Sequence, residues 1–332
     1  MDDTGEGCAG MKIDAFLSEN GWGDAVREPL AGDASSRRYI RLCFGRKHAI
    51  LMIDPQDDTT RFSDIASHLL SVGLSAPQVF AQTKGLMLLE DFGDAQFAKV
   101  IAEDPKMEIP LYLAATDVLC TLEDHAMPQG LTTATPQVLG QMIEPAFTHY
   151  LPLLGVTPGQ TTAHTTNVLT ELLDQHLPNE TVLVLRDFHA ENMIWLPDRH
   201  GVDRVGLLDF QDALAGPPIY DLVSLLQDAR RDVTEESRQA TLRHYLTATG
   251  RSEDSVMPTY HLLGLQRNLR ILGIFARLAT EREKPGYLSL IPRVWRHIQT
   301  SLAQPVAKTL APIIREAFPE PTLERLTRKT TQ

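Results

Sequence analysis

Over roughly the first ninety residues, short apolar runs alternate with polar turns; beyond them the apolar positions recur at helical spacing. The stretches 38–44 and 48–53 read as strands, 60–72 as an amphipathic helix, and 86–92 as an apolar strand entering a turn. Before them, 12–20 reads as a short helix closed by Gly21-Trp22-Gly23, with residues 1–11 as a loose tail. Helical periodicity then covers 94–103, 109–126, 138–153 and 164–176. Three short apolar runs interrupt it, 182–185, 193–196 and 205–208, each bounded by polar residues as buried strands are. Helices resume near 219–231, 234–249, 257–281, 287–303 and 305–317. Strands first and helices afterwards predict an α+β chain in two lobes, a small strand-rich one over 12–92 and a larger helical one over 93–332. No internal repeat or low-complexity tract is evident.

The three interrupting strands carry the candidate chemistry. Asp187 and Asn192 stand on the loop after the first with four residues between them, and Asp209 ends the third. Moving a phosphoryl group from ATP requires a carboxylate near the acceptor hydroxyl and oxygen ligands for Mg²⁺ on the nucleotide phosphates. Asp187 supplies the first, Asn192 and Asp209 the second. Taken singly each has a plainer reading, as a turn residue or helix N-cap. Together, at converging strand ends, they match the logic of the kinase signature set.

The runs Arg186-Asp187-Phe188-His189-Ala190-Glu191-Asn192, Leu208-Asp209-Phe210-Gln211-Asp212 and Gly216-Pro217-Pro218-Ile219-Tyr220-Asp221-Leu222 resemble the aminoglycoside phosphotransferase / choline kinase superfamily. Within it, Gly32-Asp33-Ala34-Ser35-Ser36-Arg37-Arg38-Tyr39, Leu88-Leu89-Glu90-Asp91-Phe92-Gly93-Asp94, Leu265-Gln266-Arg267 and Leu272-Gly273-Ile274-Phe275-Ala276-Arg277 are most similar to bacterial N-acetylmuramate/N-acetylglucosamine anomeric kinases. The resemblance spans about residues 12 to 300. It implies a protein-kinase-like fold, ATP and Mg²⁺ as cofactors, and an amino sugar as acceptor. The small-residue turn between strand candidates at 30–39, with Gly32, Ser35, Ser36 and Arg38, reads as a contact to the nucleotide phosphates, with an ordinary hairpin as the alternative, and the resemblance implies that backbone groups near Glu90 and Phe92 meet the adenine edge. Asp221 resembles the structural aspartate that receives catalytic-loop amides, with an N-cap as the alternative. His189 reads as a brace of the loop rather than a base, since Asp187 fills that position.

One departure from the wider kinase pattern stands out. The strand His48-Ala49-Ile50-Leu51-Met52-Ile53 has no lysine for the phosphates, and the next helix has no glutamate to hold one, its only acid being Asp64. Arg37, Arg38 or Lys47 could supply the charge instead.

Charge changes the picture in one respect. Lys plus Arg is 31 against 43 Asp plus Glu, a net of −12, which argues against a nucleic-acid partner. Three widely spaced cysteines, Cys8, Cys43 and Cys120, form neither a disulfide framework nor a zinc pattern, and with an acidic N-terminus and no membrane-length apolar run they predict a cytoplasmic protein. Against this acidic background the apolar helix from Met257 carries Arg267, Arg270 and Arg277, within roughly 80° of one another at 100° per residue. Buried arginines need anionic partners. The partner could be a structural carboxylate or the carboxylate of a substrate such as N-acetylmuramate, bound by Arg267 or Arg270. Competing functions are an aminoglycoside kinase and a non-catalytic kinase-like binding module. Oligomeric state is not legible.

Overall fold

The computed structural model describes residues 4–30, 37–56, 59–157, 159 and 161–327. The chain divides into two compact units: the described residues up to Val100 together with Asn192–Gln211, and Ile101–Glu191 with the described residues from Asp212 onward.

The first unit is built on a five-stranded antiparallel sheet. Helix α1 (Thr4–Glu19) precedes β1 (Val26–Pro29), β2 (Arg38–Phe44) and β3 (Lys47–Ile53); α2 (Thr59–Ser71), β4 (Val79–Thr83) and β5 (Leu86–Leu89) follow, in the sheet order β1-β2-β3-β5-β4. Helix α1 begins at Thr4, where a tail to residue 11 was expected. Gly5, Gly7 and Gly10 lower helix propensity there, but a helix nucleated over its apolar half extends backward at one hydrogen bond per residue. That apolar half explains the docking: Phe16 and Leu17 join Leu42, Leu51, Leu86 and Leu88 in one core cluster. Of the two edge strands, β4 was not expected from sequence, and β1 only as a strand candidate without bounds ahead of the 30–39 turn. Every residue of β1 is exposed and β4 is exposed at three of five positions, so neither shows the alternation that marks a half-buried strand.

The second unit is mostly helical. Its helices are α4 (Glu108–Asp124), α5 (Pro136–Gln141), α6 (Leu151–Leu153), α7 (Thr161–His176), α8 (Tyr220–Leu226), α9 (Glu235–Thr249), α10 (Glu253–Glu281), α11 (Ile291–Leu302), α12 (Leu310–Ala317) and α13 (Leu323–Thr327), and α3 (Phe97–Glu103) leads into it. Strands β6 (Val182–Val184) and β9 (Leu214–Gly216) pair here, while β7 (Met193–Trp195) and β8 (Val205–Leu207) pair within the first unit. The expected helix over 138–153 is broken into α5, a π-helical turn Ala146–Tyr150 and α6. Pro145 and Pro152 each remove an amide donor, and the long helix α10 crosses the break closely. A Cβ at Gly273 would sit 2.0 Å from the carbonyl carbon of Pro145, so only glycine permits that approach.

Helix α10 starts four residues earlier than its apolar pattern, at a Ser252 cap whose side chain accepts the Ser255 amide. It is buried along its middle, including Arg267, whereas Arg277 is exposed. The three arginines therefore do not share one environment. No helix among the described residues is long and apolar enough to cross a membrane.

Candidate active site

In the second unit the loop that carries Asp187 is set by strand β6 running into a strained turn. Arg186 has φ 72°, a left-handed conformation that a non-glycine residue holds only when its surroundings over-determine it. They do so here. Asp221, 2% exposed in the first turn of α8, accepts the amides of Leu185 (2.6 Å) and Arg186 (2.9 Å) on its two oxygens. Ser224 Oγ donates to the Arg186 carbonyl (3.0 Å), and the Arg186 side chain donates to the Asp212 carbonyl (3.1 Å). Burial pushes the Asp221 carboxyl up to about 7, opposed by the two amides and by Arg267. Asp187 follows directly on this pinned turn, with its amide bonded to the Leu185 carbonyl (2.9 Å).

Helix α10 brings positive charge to the same place. Arg267 is 4% exposed, its charge acts on Asp221, and its Nη1 is buried without a hydrogen-bond partner. Arg270 is half-buried and forms no hydrogen bond or ion pair to the described residues. Burial first, then the neighbouring Arg186, and finally Arg267, lower its pKa, against the opposing effects of Tyr220 and Asp187. Three guanidinium groups thus act around Asp187 and Asp221 in a chain of net charge −12.

In the first unit, pairing of β7 with β8 places Met193 opposite Leu207, and the Leu208 amide donates to the Asn192 carbonyl (2.9 Å). This closes the ends of the hairpin and sets Asn192 beside Asp209: Asn192 Nδ2 lies 3.4 Å from Asp209 Oδ2. Gln211, 3% exposed, donates to Asp209 Oδ1 (2.7 Å). Asp209 is a second strained residue, at φ 58°. Phe210 beside it is fully buried against Phe62 of α2, ring centroids 4.8 Å apart, which anchors the turn. A carboxylate and a side-chain amide side by side make a hard-oxygen donor pair of the kind that suits Mg²⁺ held jointly with nucleotide phosphates.

The hairpin is tied to the sheet. Arg199 in its turn reaches Glu90 Oε1 (2.5 Å) and Ser75 Oγ (2.7 Å) and lies over the Phe92 ring. Gly206 of β8 has that ring against it, so close that a Cβ would be 2.7 Å away. Glu90 donates its own amide to Gln78 (2.9 Å). Arg41 of β2 grips Asp91 in a bidentate pair (2.7 and 3.0 Å) and also holds Asp94, whose carboxyl it keeps below the usual range.

Of the residues expected at the phosphates, Gly32, Ser35 and Ser36 lie outside the described residues. Arg38 is described: it opens β2 and is exposed. Lys47 pairs with Phe44 at the far end of β2, about 20 Å along the strand. Arg37 differs from both. It forms a 3.0 Å ion pair with Asp54, which is 2% exposed at its side chain. Tyr39 senses the same group: burial first, then Asp209, push its hydroxyl up to about 12, with Arg37 and Asp54 also in range. Sequence reasoning raised Arg37 but did not see its partner Asp54, and it missed Gln211 as the partner of Asp209, although Gln211 was visible in the motif.

The phosphotransferase enzyme family matches residues 26–256, and the chain belongs to that family. It is 36% identical to an N-acetylmuramate/N-acetylglucosamine kinase of Caulobacter vibrioides, covering 89% of this chain and 93% of the relative. A kinase of the same name from Pseudomonas aeruginosa is 31% identical over 87% of this chain and 88% of its own. Among solved structures, a choline/ethanolamine kinase family protein from Mesorhizobium loti shares the fold with a TM-score of 0.64 at 15% identity, covering 92% of this chain and 99% of that one.

Proposed function

We propose that this phosphotransferase uses ATP and Mg²⁺ to phosphorylate the anomeric hydroxyl of an amino sugar, with N-acetylmuramate and N-acetylglucosamine as acceptors. Asp187 orients the acceptor hydroxyl and accepts its proton. Asn192 and Asp209 hold the metal, which when bound neutralises charge on the transferred phosphate. With the Glu90 amide committed to Gln78, the Glu90 carbonyl and the Phe92 amide are the backbone groups left for the adenine edge.

Arg37, with Asp54 holding it, takes the place of the absent lysine–glutamate pair. Its proximity to Tyr39, itself in the field of Asp209, supports this over the exposed Arg38. Arg37→Gln is therefore expected to raise the KM for ATP by about tenfold, the scale of one lost charge-assisted bond. Arg38→Ala should leave it near the wild-type value. Equal effects of the two substitutions in steady-state assays would reject the assignment.

The observation that carries the choice of acceptor is Arg270: desolvated, without a protein partner among the described residues, and in the field of Asp187. A site that keeps such a guanidinium beside its base suits an anionic acceptor, as the lactyl carboxylate of N-acetylmuramate would be, and disfavours a polycationic aminoglycoside. Arg267, whose charge is answered by Asp221, braces the loop and contributes to the same positive field. Arg270→Ala should lower kcat/KM for N-acetylmuramate at least about tenfold, since a charge-assisted bond contributes on the order of 1.5–3 kcal/mol. N-acetylglucosamine, which has no carboxylate, should be nearly unaffected. If both sugars lose activity alike, Arg270 is structural and the preference for a muramate acceptor goes with it. The metal-binding pair and the aspartate-pinned loop speak against a non-catalytic binding module.

A further inference from the structure

We propose that Arg230 is a positioning residue for the loop that carries Asp187, a guanidinium clamp on His189 and Glu191 that secures the chain after Asp187 as Asp221 secures it before. The proposal rests on the phosphotransfer reading of Asp187. Asp221 and Ser224 secure Leu185 and Arg186, ahead of Asp187 in the chain. Behind it, Arg230 Nη1 lies 3.2 Å from His189 Nε2, and Arg230 Nε lies 2.9 Å from Glu191 Oε2. Asp187 thus sits between two anchors.

The chemistry of the pair fixes one detail. A guanidinium offers only donors and stays protonated, so the His189 nitrogen facing it must present its lone pair. As a hydrogen bond the contact makes His189 Nε2 the acceptor. The ring is 4% exposed, which separates this bond from the Glu191 contact, whose half-exposed carboxylate contributes little by itself.

Arg230 is also held in place from behind. Its amide donates to Asp228 Oδ1 (2.8 Å), and Asp228 is 1% exposed. Its neighbour Arg231 pairs with Glu108 of α4 (2.8 Å) and donates to the Tyr112 hydroxyl (2.7 Å). Arg293 of α11 reaches the Ala229 carbonyl (3.3 Å) and Asp232 (2.9 Å). A segment pinned on both sides carries an arginine whose rotamers are already restricted, so little freedom remains to be lost when it grips the loop. Placement of a base matters at this scale: an error of about 1 Å can cost about 10²-fold in rate.

The test compares Arg230→Gln, Arg230→Lys, His189→Ala, His189→Gln and the Arg230→Gln/His189→Ala double variant. Three properties are read: steady-state kinetics with N-acetylglucosamine, hydrogen exchange of the peptide spanning 185–192, and Tm. Arg230→Gln should lower kcat about tenfold or more while the KM for ATP and the Tm stay near wild type, and the loop amides should exchange faster. Arg230→Lys, which keeps the charge but cannot span both partners, should fall between. His189→Gln, whose amide oxygen can accept from Arg230, should retain more activity than His189→Ala. The double variant should be no worse than the poorer single one. Wild-type kcat and exchange in Arg230→Gln would overturn the clamp, as would losses that multiply in the double variant or a kcat loss matched by a collapse in Tm. If the wild-type protein phosphorylates no sugar, the proposed function fails, and the exchange comparison still decides whether Arg230 holds the loop.

Discussion

Asp187→Asn is expected to lower kcat by about 10²–10⁴-fold, the range for removal of a positioned general base, while leaving MgATP affinity nearly intact. The physical reason is a division of labour within the loop. The backbone ahead of Asp187 has holds of its own: the amides of Leu185 and Arg186 are bonded to Asp221, and the Arg186 carbonyl to Ser224. Asparagine has the same shape and keeps a carbonyl oxygen that can still receive the acceptor hydroxyl, but it cannot take its proton. Loop geometry and Tm should therefore survive. Isothermal titration with MgATP and single-turnover kinetics separate the two effects. Near wild-type turnover would remove Asp187 from the reaction; a large loss of nucleotide affinity would mean it holds the nucleotide rather than the acceptor.

Removal of Asp209 should act on the opposite partner. Both Asp209→Asn and Asp209→Ala are expected to weaken MgATP binding at least about tenfold, the cost typical of disturbing a metal's ligand shell. Only the alanine variant should also lose stability. Asp209 sits at φ 58°, which asparagine tolerates, whereas alanine there costs on the order of 1–2 kcal/mol. Asparagine also keeps an oxygen for the Gln211 amide. Titration of MgATP alongside thermal melts of the two variants checks this. Unchanged affinity in Asp209→Asn would place the metal elsewhere.

The phosphotransferase class that the family match shows was already indicated by Asp187, Asn192 and Asp209 beside three short apolar runs, because each stands next to an end of a strand that the pattern of apolar positions delimits. The same runs marked β6, β7 and β8, and the 3.6-residue period marked α4, α7, α9 and α10, where a buried face repeats along one continuous stretch. Edge strands β1 and β4 could not be delimited because a strand with solvent on most of its side chains has no reason to alternate.

What the chain order could not reveal is which charges meet. Periodicity gave Arg267, Arg270 and Arg277 one face of a helix, yet burial alters along α10, so one is enclosed beside Asp221, one acts on Asp187 and one is exposed. Arg37 and Arg38 are neighbours in sequence, and only the pairing of Arg37 with Asp54, 17 residues away, tells them apart. Arg230 reaches His189 across 41 residues. Backbone strain at Arg186 and Asp209 was equally invisible, since nothing in an arginine or aspartate demands a left-handed conformation. Local composition sets strands, helices and the residues able to do chemistry, because these depend on near neighbours. The partners that fix charge, strain and position are distant in sequence, and only the packed tertiary structure selects them.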